Sequence, residues 1–189
     1  PAPGGGSIAA YAGVMGASLA TMVANLSSHK RGWDERWEEF SVWAEKGQNI
    51  KDELLFLVDE DTASFNMIMS AFGLPKSTDE EKAARSQAIQ EATKYAIQIP
   101  LRVMEVAHSS FEVIKAMADV GNPNSVTDAG VGALCARTAV IGAHLNVKIN
   151  AGGLEDKEFI KDILAKAKSL EAEAVQMEKE VMEMVESKI

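Results

Sequence analysis

The sequence predicts an all-α protein, a helical bundle of about six helices forming a single domain over residues 1–189. Apolar residues recur with helical spacing through most of the chain. No stretch alternates apolar and polar residues for long enough to predict a β-strand. Glycine, proline and capping residues divide the helical pattern into segments of ordinary length.

The first helix is predicted to follow the stretch "PAPGGGS", with Ser7 as its N-cap. The run from Ile8 to Leu26 is uncharged and long enough to span a membrane. It consists mainly of small residues with few aliphatic side chains, so we interpret it as a buried helix and expect no membrane partner. Its small-residue spacing allows close packing inside the monomer or, alternatively, against a second copy in a homodimer.

The second helix is predicted over residues 34–72, with Gly47 as a possible break, and ends at "GLP". A third helix begins near Thr78, because Thr78 and Glu81 have the spacing of a capping box. The end of the second helix and the start of the third therefore both have local signals in the sequence.

Pro100 is expected to kink or end the third helix, because proline lacks the backbone N–H that an interior position needs. A fourth helical stretch follows it. After "GNPNS", a fifth helix is predicted over residues 126–149, capped by Asn124 or Ser125. A highly charged sixth helix covers residues 156–187.

The stretch "LVDEDTASF" (residues 57–65) places a carboxylate on the apolar face of the second helix. At about 100° per residue, Asp61 lies in the centre of the apolar stripe, whereas Asp59 lies on the opposite face and Glu60 at the margin. Partial desolvation favours a neutral carboxyl group and leaves it able to take and return protons. The alternative is a buried structural aspartate. The apolar residues within about 40° of Asp61 are Ile50, Leu54, Leu57, Phe65, Ile68 and Phe72.

Two further features could bind a ligand. Gly4, Gly5 and Gly6 precede the first helix, where free N–H groups suit a carboxylate or phosphate, although a flexible turn would explain them equally well. Asp128 and Asn146 are eighteen residues apart and share a face of the fifth helix with several small residues. That face could admit a flat ligand or simply the neighbouring helix.

Composition narrows the possible functions. The net charge of -9 and the pI near 4.9 argue against a nucleic-acid partner. A single cysteine, Cys135, fits a reducing compartment, and we expect a cytoplasmic protein. Glu105 and His108 form one E-x-x-H pair, but a di-metal bundle site needs two, so we predict no metal.

Six blocks in the chain resemble the cyclodeaminase domain of formiminotransferase-cyclodeaminase and the related bacterial cyclodeaminase/cyclohydrolase proteins. They occur in the family's order from residue 1 to about residue 150. The blocks are "PAPGGGS", "LVDEDTASF", "LPKSTDEEK", "IPL", "GNPNSVTDAGVGA" and "GAHLNVKIN". The resemblance implies an all-helical homodimer that acts on tetrahydrofolate derivatives and uses no other cofactor.

The resemblance also implies site residues. The family's catalytic aspartate is the second acid of a V-D-x-D motif, which is Asp61 here. The expected substrate-binding residues are Gly4, Gly5, Gly6, Ser7, Lys76, Asn122, Asn124, Ser125, Asp128 and Asn146.

The implied activity is that of a formiminotetrahydrofolate cyclodeaminase, which closes 5-formiminotetrahydrofolate to 5,10-methenyltetrahydrofolate and releases ammonia. The formimino transfer step would then belong to a separate formiminotransferase. Methenyltetrahydrofolate cyclohydrolase is the alternative, because both reactions occur at the same one-carbon bridge. A non-catalytic folate-binding helical dimer is a third interpretation.

Overall fold

The computed structural model describes residues 2–189 and confirms the all-α prediction. Within these residues it contains helices and no β-strand. Short 3-10 turns at Asp34–Arg36 and Pro123–Ser125 precede the second and fourth helices. The helices are α1 (Gly5–Ser28), α2 (Trp37–Phe72), α3 (Asp79–Val120), α4 (Val126–Ala151) and α5 (Lys157–Glu186).

Helix α1 packs against both α2 and α4, and glycines bring the helices close together. A Cβ atom added to Gly16 would lie 2.8 Å from the carbonyl oxygen of Gly132, so only glycine fits this crossing. At Gly13 an added Cβ would lie 3.0 Å from Leu54 of α2. The small residues of α1 therefore serve packing inside the monomer, which was one of the two predicted roles. Two-thirds of the apolar window of α1 (67%) is buried in the bundle, although α1 and Pro123–Ala151 are long and apolar enough for membrane spans.

Of the two predicted effects of Pro100, the end of the helix is wrong, because α3 continues through this residue. Proline cannot donate to the carbonyl four residues earlier, which is that of Ala96. The side-chain amide of Asn150 in α4 donates to the Ala96 carbonyl at 2.8 Å and replaces the missing bond. Within residues 2–189 the bundle consequently has five helices, close to the predicted number of about six.

The predicted helix caps are confirmed at the start of α3 but not at the starts of α1 and α4. Thr78 and Glu81 form the expected capping box at the start of α3. Ser7, by contrast, lies inside α1, whose N-cap is Gly4. Ser125 occupies the N-cap position of α4 without capping it through its side chain. The Asn122 side chain instead accepts a hydrogen bond from the Asn124 N–H at 3.2 Å.

Candidate active site

A cavity of about 480 Å³ opens where the N-terminus of α1 meets the C-terminal halves of α2 and α4. This volume lies in the range of small-molecule sites. Six of the predicted site residues line it: Gly4, Gly5, Gly6, Ser7, Asp61 and Asn146. The structure therefore brings the candidate catalytic acid and the glycine turn together, although they are more than fifty residues apart in the chain.

The Asp61 carboxylate is fixed by α1. The Ser7 hydroxyl donates a hydrogen bond to Asp61 Oδ2 at 2.7 Å, and the Ser7 side chain is buried, with 1% of the residue exposed. Ser7 Oγ also lies 3.4 Å from the Thr62 hydroxyl. A short hydrogen bond to a carboxylate holds its orientation, so that the other oxygen, Oδ1, remains available for chemistry.

Gly6 is the glycine on which this contact depends. A Cβ atom at position 6 would lie 2.1 Å from Asp61 Oδ1 and 2.6 Å from its Cγ, distances that real Cβ atoms do not show. Gly5 is different, because its added Cβ would make ordinary contact with the Asn146 amide at 3.6 Å. Gly4 has open space around it. Of the three predicted glycines, Gly6 is the one at which a side chain would displace the acid.

Asp61 stands where the burial of large apolar side chains along this face of α2 ends. Leu57, one turn earlier, is 3% exposed, whereas Phe65, one turn later, is 55% exposed. The carboxylate is half-buried, so the predicted apolar face is partly correct: its N-terminal half enters the core and its C-terminal half lines or overhangs the cavity. Asp59 is exposed, as its position on the opposite face of the helix predicted.

Glu60 anchors this turn of α2 to α3. The Tyr95 hydroxyl donates to Glu60 Oε1 at 2.6 Å, and this bond to a carboxylate raises the pKa of Tyr95. The Glu60 carboxylate, which lies between Asp59 and Asp61 in the sequence, is therefore hydrogen-bonded to a neighbouring helix. It points away from the cavity wall that Asp61 occupies.

Two amide side chains of α4 line the same cavity as Asp61. Asn146 and Asn150 lie one turn apart on α4, and Asn146 donates to its own helix at the Gly142 carbonyl (2.9 Å). Sequence reasoning missed Asn150, although its i+4 spacing from Asn146 placed it on the same face. The other lining residues it missed are Ala2, Thr62, Ser64, Phe65, Asn66, Ile68 and Ala96.

The remaining predicted residues lie outside this cavity. Lys76 is exposed in the connection between α2 and α3. Asn122 lies at the far end of α1, where its N–H donates to Ser27 Oγ at 2.8 Å. Asn124, Ser125 and Asp128 belong to the same end. Asp128 is eighteen residues from Asn146 along α4, about 27 Å at the helical rise.

The charge of the cavity lining comes from one side chain. Among the lining residues that the structure describes, Asp61 is the one with a charged side chain. No side chain caps α1, so its first N–H groups and the positive end of its dipole face the same space. Residues 2–189 contain no cluster of three or more histidine, cysteine or acidic side chains able to hold a metal. The arrangement suits proton transfer by one carboxylate beside a polar amide wall.

The comparisons with known proteins confirm the resemblance. Residues 1–169 match the family described as formiminotransferase-cyclodeaminase. A methenyltetrahydrofolate cyclohydrolase from Methylorubrum extorquens is 40% identical over 189 residues, covering 100% of this chain and 91% of that protein. The formimidoyltransferase-cyclodeaminase of Gallus gallus is 36% identical over 158 residues, which is 84% of this chain but 29% of the longer relative.

A solved structure has the same fold. The formiminotetrahydrofolate cyclodeaminase of Thermotoga maritima superimposes with a TM-score of 0.85 at 28% identity, covering 99% of this chain and 89% of that one. The chain belongs to the formiminotransferase-cyclodeaminase family.

Proposed function

We propose that this protein is a folate enzyme acting at the one-carbon bridge between N5 and N10 of tetrahydrofolate, with Asp61 as its general acid and base. The observation that carries the proposal is the Asp61 carboxylate in the cavity, held by Ser7 at Oδ2 (2.7 Å) and without a hydrogen bond at Oδ1 within residues 2–189. A positioned carboxyl group in a partly enclosed site can accept a proton and return it within one turnover. Phe65 and Ile68 offer apolar surface for a flat ring system, and the uncapped start of α1 offers donors for an oxygen.

The finer assignment that we favour is methenyltetrahydrofolate cyclohydrolase. The Methylorubrum cyclohydrolase matches this chain end to end, and its own length is 91% covered. In this reaction Asp61 accepts a proton from water as the oxygen bonds to the methenyl carbon. The same carboxyl then protonates N5 as the N5–carbon bond breaks. Loss of the hydroxyl proton to solvent completes 10-formyltetrahydrofolate.

Formiminotetrahydrofolate cyclodeaminase, which the sequence alone favoured, is the second candidate. The Thermotoga structure and the animal relatives support it. Asp61 would take the N10 proton as N10 bonds to the formimino carbon and would pass it to the departing nitrogen. One more proton from solvent completes ammonia. Neither reaction requires a cofactor beyond the folate substrate.

The deciding experiment uses the purified protein and both folates. The methenyl chromophore disappears in the cyclohydrolase reaction and appears in the cyclodeaminase reaction, so one optical assay separates the two. Asp61→Asn keeps the size of the side chain but cannot accept a proton, and we expect it to fold and lose about 10²–10⁴-fold in kcat. Asp59→Asn, on the exposed side of the same helix, is the matched control and should retain activity. Near-normal turnover by a folded Asp61→Asn protein would refute the mechanism.

The proposed assembly is a homodimer. Helix α1 carries no charge from Gly5 to Ser28, yet large apolar side chains on one side of it are exposed. They fall within about 60° of the helix circumference and are Ile8, Tyr11, Met15, Met22 and Leu26. Helix α4 adds Val131, Leu134, Leu145 and Ile149. An exposed apolar face of this kind supports the proposed interface, and a sedimentation measurement at micromolar concentration tests it.

A further inference from the structure

Asn146 and Asn150 line the cavity with amides whose orientation is fixed. Asn146 Nδ2 donates to the Gly142 carbonyl at 2.9 Å, and Asn150 Nδ2 donates to the Ala96 carbonyl at 2.8 Å. A carbonyl can only accept, so each bond identifies the nitrogen of the amide and turns the oxygen away from the backbone. Neither Oδ1 atom accepts a hydrogen bond within residues 2–189. The two residues lie one turn apart on α4 and therefore form a pair of acceptors on one helix face.

We propose that these two oxygens bind the pyrimidine edge of a pterin, Asn146 accepting from the ring N3–H and Asn150 from the 2-amino group. The inference rests on the proposed folate activity and names the residues that select and orient its substrate. Along this edge a pterin carries the O4 oxygen, the N3–H and the 2-amino group, in that order. The edge therefore offers one acceptor followed by two donors.

The protein groups stand in the complementary order. Helix α4 runs antiparallel to α1, because Gly132 lies against Gly16 whereas Asn146 lies against Gly5, whose added Cβ would be 3.6 Å from the Asn146 amide nitrogen. No side chain caps α1, so its first N–H groups can donate to O4. Asn150 lies one turn, about 6 Å, further along α4 and so beyond the start of α1. The sequence of groups is then donor, acceptor, acceptor, which matches the pterin edge.

Using amides at this edge leaves the catalytic carboxylate free for the reaction. Asp61 is bonded to Ser7 and is required for proton transfer. The amide oxygens are neutral, so they accept from the ring without competing with Asp61 for the transferred proton. Because Asp61 lies on α2 and the amides lie on α4, a pterin held at α4 by its pyrimidine ring can direct its other ring, which carries N5, towards Asp61. A ligand without the two donors leaves both oxygens unpaired, which lowers its affinity.

Two ligands test the contact at the 2-amino group. They are 5-formyltetrahydrofolate and its analogue with hydrogen in place of that group, and their affinities are measured by isothermal titration calorimetry. Asn150 also serves the Ala96 carbonyl, so Asn150→Ala is made in a Pro100→Ala background, where a backbone N–H can take over that task. We expect the wild type and Pro100→Ala to bind the natural ligand about tenfold more tightly than the analogue. The double variant should bind the two ligands within about twofold of each other. Full discrimination by the double variant would overturn the proposal.

Asn146→Ala tests the contact at N3–H. The Gly142 carbonyl also accepts from the backbone of α4, so this variant should keep its helical circular dichroism and its urea midpoint. We expect it to bind both ligands about tenfold more weakly than the wild type while keeping the preference for the amino group, and to raise KM with little change in kcat. A fall in kcat at unchanged affinity would assign the amide to the reacting groups and overturn the proposal. Gln176→Ala removes an amide of α5 that is bonded to Glu180 at 3.0 Å, and as the control it should bind like the wild type.

Failure of the proposed function would give a different result. A wild-type protein that binds neither ligand would refute the folate function and this inference with it. A protein that binds 5-formyltetrahydrofolate and converts a folate, yet shows the same affinities in every asparagine variant, would refute the role of the amides alone.

Discussion

Replacing Gly6 with alanine should disable the proposed enzyme without unfolding it. The added Cβ would lie 2.1 Å from Asp61 Oδ1, and contacts below 3.0 Å force a shift, so the carboxylate must move by about 0.9 Å. This movement also strains the 2.7 Å hydrogen bond from Ser7. A displacement of about 1 Å at a reacting group can cost about 10²-fold in rate. We therefore expect Gly6→Ala to lower kcat by about two orders of magnitude.

The helix itself should tolerate this change. Alanine is more favourable than glycine within a helix by roughly 0.5–1 kcal/mol, so Gly6→Ala should retain its helical circular dichroism and its cooperative unfolding. Gly5→Ala is the matched control, because its Cβ would meet Asn146 at an ordinary 3.6 Å. It should stay within about twofold of wild-type turnover.

The assay follows the methenyl chromophore with whichever folate the wild type converts. A Gly6→Ala protein that is as active as Gly5→Ala would refute the reasoning, since the position of the carboxylate would then not limit the reaction. A Gly5→Ala protein that loses activity equally would also contradict it. In that case the whole glycine turn, rather than one close contact, would matter.

Two further predictions follow from hydrogen bonds near the cavity. Asn150→Ala should lower the unfolding free energy by about 1–3 kcal/mol in urea titrations, because the Ala96 carbonyl loses its donor. Pro100→Ala restores a backbone N–H, so Asn150→Ala should cost less when it is combined with Pro100→Ala. An equal cost in both backgrounds would show that the Asn150 amide does not replace the missing backbone hydrogen bond. Ser7→Ala should lower kcat with little change in KM, because the Ser7 hydroxyl is bonded to Asp61; a change confined to KM would instead make Ser7 a substrate ligand.

The helix boundaries could be predicted where local signals in the sequence set them. The prediction failed at Pro100, where a contact with a distant residue replaces a local hydrogen bond. The Thr78 capping box and the stop after α2 depend on residues within one turn of each other, so the sequence contains everything needed to predict them. The effect of Pro100 depends on Asn150, fifty-four residues from the Ala96 carbonyl that it serves. The rule that proline ends a helix considers only the local sequence and does not include this partner. The sequence therefore predicted one helix too many.

The residues of the site also fall into those that local sequence could predict and those that depend on distant contacts. Asp61 could be found from periodicity because a carboxylate in an apolar stripe is unusual on its own helix, whatever packs against it. The role of Ser7 could not be found, because its hydrogen-bond partner lies on another helix. Near a helix start the local pattern predicts a cap, whereas the register of α1 on α2 places Asp61 Oδ2 within 2.7 Å. The hydrogen bond to the carboxylate is charge-assisted, and Ser7 makes it from inside α1, past the N-cap position. The helix start is then left uncapped at Gly4, and its N–H groups stay available to a substrate in the cavity.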